Sequence, residues 1–249
     1  MSFKSTLERS LPPQAFSTLR WVAKRCANPI RNFVLRRRHV GAGSYLAPDV
    51  HVLGWRNTFI GRDTVLCEGV CVNINHRETE GAGVSIGDHC FIGRRNYLNS
   101  GTEIVLKDYC LTGPDCRFNG ADHVISDPFQ PYIATGTTRG SSIVIGVNCW
   151  LGANVTILGN VSIGHGCVIG AGSLVTKSAP PFSLLIGSPA RVVKRFDVLS
   201  RQWIPAEHFT AAMSVALPDE IAYIDILKRN APEIRVPTAA AGKAQGDLP

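Results

Sequence analysis

No apolar run in this chain of 249 residues approaches the roughly 20 needed to cross a bilayer, and the N-terminal stretch MSFKSTLERSLPPQ lacks the continuous apolar core of a secretory signal. A cytoplasmic location is the expectation. CxxC pairs are also missing and the eight Cys follow no framework spacing, so neither a disulfide scaffold nor a zinc site organises the chain. Acidic residues are the scarcer charge: 19 Asp+Glu against 26 Lys+Arg leave a formal net charge of +7. That balance favours anionic partners, whether phosphates, nucleotides or an acidic membrane surface, and does not choose among them. Hydrophobic residues make up 45% of the chain, enough for a sizeable core in one large domain, which excludes disorder throughout.

What is present is a period. Aliphatic residues recur every six positions at Ile145, Leu151, Ile157, Ile163, Ile169 and Val175. The register extends back through Leu106, Thr112 and Phe118, through Ile86, Ile92 and Leu98, and through Ile60, Leu66 and Val72, and more faintly through Val40, Leu46 and Val52. Four residues after the anchor the chain keeps a small side chain, as at Ser44, Thr64, Cys90, Thr102, Cys110, Cys116, Cys149, Val155, Val161, Cys167 and Ser173, and five of the eight Cys fall there. A six-residue period fits neither a helix at 3.6 nor an alternating strand at 2; it fits a solenoid whose triangular coil has three short faces, each giving one inward aliphatic residue. The small residue sits where the chain turns a corner, since bulk there would crowd the core. Three hexads make one coil, with insertions at 53–59, 73–85, 99–105 and 119–144.

The organisation that follows is a basic helical segment over 1–39, a β-solenoid domain over 40–196, helices over 197–230 with breaks at Pro205 and Pro218, and a disordered Ala/Pro/Gly-rich tail over 231–249. Seven basic residues lie between Arg20 and Arg38. This segment either caps the first coil, whose apolar end must be hidden, or lies on an anionic membrane surface. His123 is the only His in the longest insertion, and long loops on a rigid repeat scaffold are where function concentrates.

The stretch IVIGVNCWLGANVTILGNVSIGHGCVIGAGSLVTKSAPPFSLLIGSPARVVKRF resembles the C-terminal half of hexapeptide-repeat acyltransferases, closest to the maltose and galactoside O-acetyltransferases and the sugar O-acetyltransferases of surface-polysaccharide synthesis. The resemblance covers about 40–196 and implies an all-β solenoid, a left-handed parallel β-helix with N-terminal and C-terminal helical appendages. It implies an acetyl-CoA-dependent O-acetyltransferase, with acetyl-CoA as acyl donor, no metal and a homotrimeric assembly whose active sites lie between subunits. The handedness comes from the resemblance and not from the period.

Acetyl transfer requires a hydroxyl to attack a thioester, and a sugar hydroxyl keeps its proton at neutral pH. A base must take that proton, and His does so best near pH 7. In NGADHVISDPFQPY, His123 stands where similar acetyltransferases carry their catalytic His, and Asp122 or a backbone carbonyl orients its ring. Ala153 matches the family position whose main-chain amide serves the thioester, and Trp150 matches an aromatic beside the cofactor arm. Ala171, Thr176 and Lys177 match contacts along the pantetheine arm, while Arg191 and Lys194 match basic residues near the adenosine phosphates. His76 and Arg77, in the 73–85 insertion, are expected on the acceptor side. His89 and His165 occupy variable hexad positions and are expected at the surface.

Three other readings stay open at this point. The acceptor is equally an antibiotic, serine or an amine on a nucleotide sugar. A metal-dependent, carbonic-anhydrase-like β-helix needs three His around the metal, and here positions 118 and 128 are Phe and Pro. A purely structural solenoid would bind no CoA. No nucleic-acid partner is implied.

Overall fold

A computed structural model of the chain describes residues 37–78, 83–138 and 140–230. The chain divides into Met1–His39 and Val40–Pro249. Of the first unit only 37–39 are described, and they are helical; the rest of the expected basic helical segment, and the tail over 231–249, lie outside the described residues. No helix among the described residues is long and apolar enough to cross a membrane.

The second unit is a parallel β-solenoid with three faces. The first face stacks β3 (Thr58–Ile60), β6 (Gly83–Ile86), β9 (Glu103–Leu106), β12 (Ser142–Ile145) and β15 (Val161–Ile163). The second stacks β1 (Tyr45–Leu46), β4 (Val65–Leu66), β7 (Phe91–Ile92), β10 (Leu111–Thr112), β13 (Trp150–Leu151), β16 (Val168–Ile169) and β18 (Ser183–Gly187). The third stacks β2 (His51–Leu53), β5 (Cys71–Ile74), β8 (Tyr97–Ser100), β11 (Arg117–Asn119), β14 (Thr156–Leu158) and β17 (Leu174–Val175). From Val40 to Val175 the registers pair anchor with anchor, for example Ile92 with Thr112 and Thr112 with Leu151, so the six-residue period becomes a vertical column inside each face. The interior is closed: Leu66, Ile92, Leu98, Ile104, Phe118, Ile143, Leu151, Ile157 and Ile169 have no exposed surface.

The corner between the first and second faces, here the first edge, explains the small residues. Ser44 Oγ donates to the Gly61 carbonyl (2.7 Å) and Thr64 Oγ1 to Gly87 (2.8 Å). Cys90, Cys110 and Cys149 Sγ donate to Lys107, Gly146 and Gly164, each at 3.2 Å, and Cys167 Sγ to Pro180 at 3.3 Å. Each short side chain thus reaches a carbonyl of the following coil. A larger residue would fill the space that this bond spans.

The C-terminal part departs from the expected helices. β18 is followed by β19 (Ala190–Asp197) and β20 (Gln202–Pro205), an antiparallel extension of the second face. Phe196 and Trp203 pair across it with ring centroids 5.4 Å apart, so Trp203, inside the stretch expected to be helical, is a cross-strand partner instead. Helices begin only at α1 (Ala211–Val215), capped by Thr210, and α2 (Glu220–Asn230). The latter docks on the first edge: Lys107 Nζ meets Glu220 at 2.5 Å and Asn148 Nδ2 donates to the Tyr223 hydroxyl at 2.6 Å.

Candidate active site

The 119–141 segment leaves the third edge, between the third and first faces, and folds back on itself. His123 forms an antiparallel bridge with Thr137. The Thr138 amide donates to the Asp122 carbonyl (2.6 Å), the Asp122 amide to Thr138 Oγ1 (3.2 Å), and the Val124 amide to the Gly136 carbonyl (3.2 Å). The backbone around His123 is therefore fixed while its side chain stays exposed. Among the described residues no hydrogen bond joins the Asp122 carboxylate to the His123 ring. Beyond the bridge the loop carries a bare apolar tip, with Ile125, Phe129 and Ile133 at 75%, 96% and 92% exposure.

His76 stands beside this loop, its Nε2 3.1 Å from the Thr138 carbonyl and 3.4 Å from Thr137 Oγ1. Arg77 turns its Nε onto the Ile74 carbonyl (2.9 Å) and keeps the rest of its side chain exposed. Thr176 and Lys177 lie on the same edge after β17, both exposed. Sequence reasoning missed the amides beneath the loop: Asn73 and Asn75 Nδ2 both donate to Asn99 Oδ1 at 2.8 Å. The signal was there, since Asn73, Asn99 and Asn119 each follow the anchor of successive coils.

The other expected residues lie elsewhere on the prism. Trp150 is 53% exposed on the second face and lines a groove of about 440 Å³ with Tyr45, Phe91, Leu111 and Pro114. Ala153 and Ala171 follow it at the second edge, between the second and third faces. There the coils touch: a Cβ on Gly152 would come within 2.6 Å of the Ala171 nitrogen, and one on Gly113 within 2.6 Å of the Ala153 nitrogen. Gly152 and Asn154 donate their amides along the stack, as do Gly170 and Gly172. The amides of Ala153 and Ala171, between them, donate to no carbonyl among the described residues. Arg191 and Lys194 are exposed on β19, opposite Ile186 and Leu184. One chain thus brings His123, His76, Arg77, Thr176 and Lys177 to the third edge and leaves Ala153 and Ala171 at the second, with Trp150 on the second face before them.

Of the two histidines expected at the surface, one is buried and the other half-buried. His165 is 7% exposed: its Nε2 reaches the Pro218 carbonyl (3.1 Å) and its ring packs on Phe182 and Tyr223, because the C-terminal helices cover that corner. His89 is half-buried at a left-handed corner position (φ 57) and stacks on Tyr109, 5.2 Å away, in the same position one coil further on. Among the described residues no three His, Cys, Asp or Glu side chains converge as a metal site.

Comparison with known proteins agrees with this architecture. Residues 142–177 match the family described as bacterial transferase hexapeptide (six repeats), and residues 83–105 the hexapeptide repeat of succinyl-transferase. A Staphylococcus aureus (strain COL) protein with the provisional name acetyltransferase is 35% identical over 130 residues, 52% of this chain and 64% of its own length. The galactoside O-acetyltransferase of Escherichia coli (strain K12) is 34% identical over 119 residues, 45% of this chain and 57% of its length. The chain thus spans less than two thirds of the curated relatives it matches. In structure it is similar to AntD, an N-acyltransferase from Bacillus cereus crystallised with dTDP and 3-hydroxybutyryl-CoA, at TM-score 0.55 and 18% identity over 80% of this chain and 97% of that one. The solenoid is accordingly a left-handed parallel β-helix, and its coils are similar to those of hexapeptide-repeat acetyltransferases.

Proposed function

We propose that this chain is an acyl-CoA-dependent O-acetyltransferase that moves an acetyl group from acetyl-CoA to a hydroxyl of a sugar or surface-polysaccharide precursor. The observation that carries the reading is the clasped loop at the third edge, which holds the backbone of His123 at Thr137 and leaves its imidazole open to solvent. A general base needs that combination of fixed position and access.

The chemistry runs as follows. The acceptor hydroxyl oxygen attacks the thioester carbonyl carbon while a ring nitrogen of His123 takes the hydroxyl proton. The tetrahedral oxyanion draws on a backbone N–H, the role assigned to Ala153, whose amide is unengaged among the described residues. Collapse breaks the C–S bond, and the proton on His123 passes to the departing CoA sulfur. Asp122 flanks the base through its backbone, and Arg77 faces the acceptor. Ala171, Thr176 and Lys177 would hold the pantetheine arm with Trp150 beside it, and Arg191 and Lys194 would offset the phosphate charge.

These roles fall on two edges of the prism, so the reading includes a homotrimer in which one copy supplies His123 and its neighbour Trp150, Ala153 and Ala171. Release of free CoA thiol from acetyl-CoA, followed against sugars, nucleotide sugars, amino sugars, serine and antibiotics, tests the proposal. Thiol release that depends on a hydroxylated sugar supports it; release only with amines overturns the O-transfer, and none with any acceptor overturns the enzyme.

A further inference from the structure

We propose that His76 is a positioning residue: its ring clamps the return strand of the loop that carries His123 and so sets where that base stands. The inference rests on the assignment of His123 as base and extends it to a residue two coils earlier. A carbonyl oxygen only accepts, so the 3.1 Å contact with Thr138 requires the proton on His76 Nε2. The same nitrogen lies 3.4 Å from Thr137 Oγ1.

Both partners are one step from the base. Thr137 is the bridge partner of His123, and Thr138 exchanges two hydrogen bonds with Asp122 at 2.6 and 3.2 Å. The clamp is itself held on both sides. Asn75 Nδ2 donates to the Ser100 carbonyl (3.0 Å) and to Asn99 Oδ1, and Arg77 Nε bonds the Ile74 carbonyl. His76 is therefore anchored to the stacked coils of the third face, whereas the His123 segment is an excursion from them. At its feet the segment meets the coils through the Gly120 amide on the Asn99 carbonyl and the Gly140 amide on Thr102 Oγ1. His76 adds an attachment just before the second foot, at Thr138, on the stretch that pairs with the base.

The test compares His76→Leu, which keeps bulk and loses the donor, with His76→Gln, whose amide N–H reaches a similar distance. Hydrogen exchange read by mass spectrometry over residues 119–141 needs no acceptor. His76→Leu should speed exchange there about two- to tenfold, the range for loss of one hydrogen bond, with peptides from 142–177 unchanged, and His76→Gln should restore protection. With the acceptor found by thiol release, His76→Leu should lower kcat about tenfold or more at unchanged KM for acetyl-CoA, and His76→Gln should recover most of it. Wild-type exchange in His76→Leu overturns the clamp. Loss of kcat in both variants with a raised KM for the acceptor would mean that His76 touches substrate instead. If His123→Ala remains fully active while the exchange result holds, the assignment of the base fails and the clamp stands.

Discussion

At the residue scale, the histidines divide by what surrounds them. His123 sits in an excursion and supports no coil, so His123→Ala should leave the fold and acetyl-CoA binding intact while turnover falls about 10²–10⁴-fold. Thermal melting and single-turnover assays check both. His165→Ala should do the reverse. It removes a buried ring from between Phe182 and Tyr223 and strips the Pro218 carbonyl of its partner, a loss of about 1–3 kcal/mol in stability with little direct effect on chemistry. The sequence carried the first expectation because loop length and residue type are visible in it. It did not carry the second, since the cover over His165 comes from Pro218 and Tyr223, more than fifty residues away in a segment without the repeat. The clasp of Thr137 and Thr138 was hidden for the same reason: nothing in the spelling TGTT marks which bonds a loop makes.

At the scale of an element, the corners set the pH response and the thiol chemistry. Burial alone would raise the Asp88 carboxyl, but Arg62 donates to it through its backbone amide (2.7 Å) and its guanidinium (3.1 Å) and holds it below the usual carboxylate range. A carboxyl depressed in the folded state contributes stability above its unfolded pKa, and that contribution disappears as the pH falls through the folded value. The melting advantage of wild type over Asp88→Asn should therefore be full above about pH 5 and fade below about pH 4. With the Arg62 side chain 70% exposed, it should amount to about 1 kcal/mol or less. The cysteines at the corners respond differently. The neighbouring Cys110 and burial together push the Cys90 thiol far up, burial does the same to Cys149, and burial pushes Cys116 up to about 11. Cys149 instead lowers Cys167, and burial raises Cys67 and Cys71, so access decides: titration of the native protein with a thiol reagent should spare the buried Cys90, Cys110, Cys116, Cys149 and Cys167 until denaturant is added, while the half-buried Cys67 and Cys71 react. Rapid labelling of all of them in the folded state would contradict the corner assignment. The six-residue period made these positions readable from sequence, because a small residue recurring at one hexad position has a geometric cause. β20 has no such period, which is why the 197–230 stretch that holds it carries the expectation of a helix.

For the whole molecule, the separation of His123 from Trp150, Ala153 and Ala171 makes assembly the decisive property. Light scattering should return three times the 26.9 kDa chain, and dilution to monomer should abolish turnover; a fully active monomer would sink the shared site. Where Trp150→Ala and His123→Ala each lower turnover alone, mixed and reassembled copies should regain part of it, because some interfaces then pair an intact base with an intact tryptophan. The first-edge column has a consequence of its own. From Ser44 to Cys167 every side-chain donor points toward the C-terminal coil, never back. The side-chain bonds of this column thus run one way, while the backbone amides of the same corner also donate back to the coil before. A truncation from the C-terminal side strands a buried hydroxyl or thiol, while one from the N-terminal side takes the acceptor from a corner amide, as Thr64 N–H would lose Ser44 Oγ (2.9 Å) and Cys90 N–H would lose Thr64 Oγ1 (3.0 Å), so the two ends expose different halves of the same corner bond when this protein is lengthened or shortened.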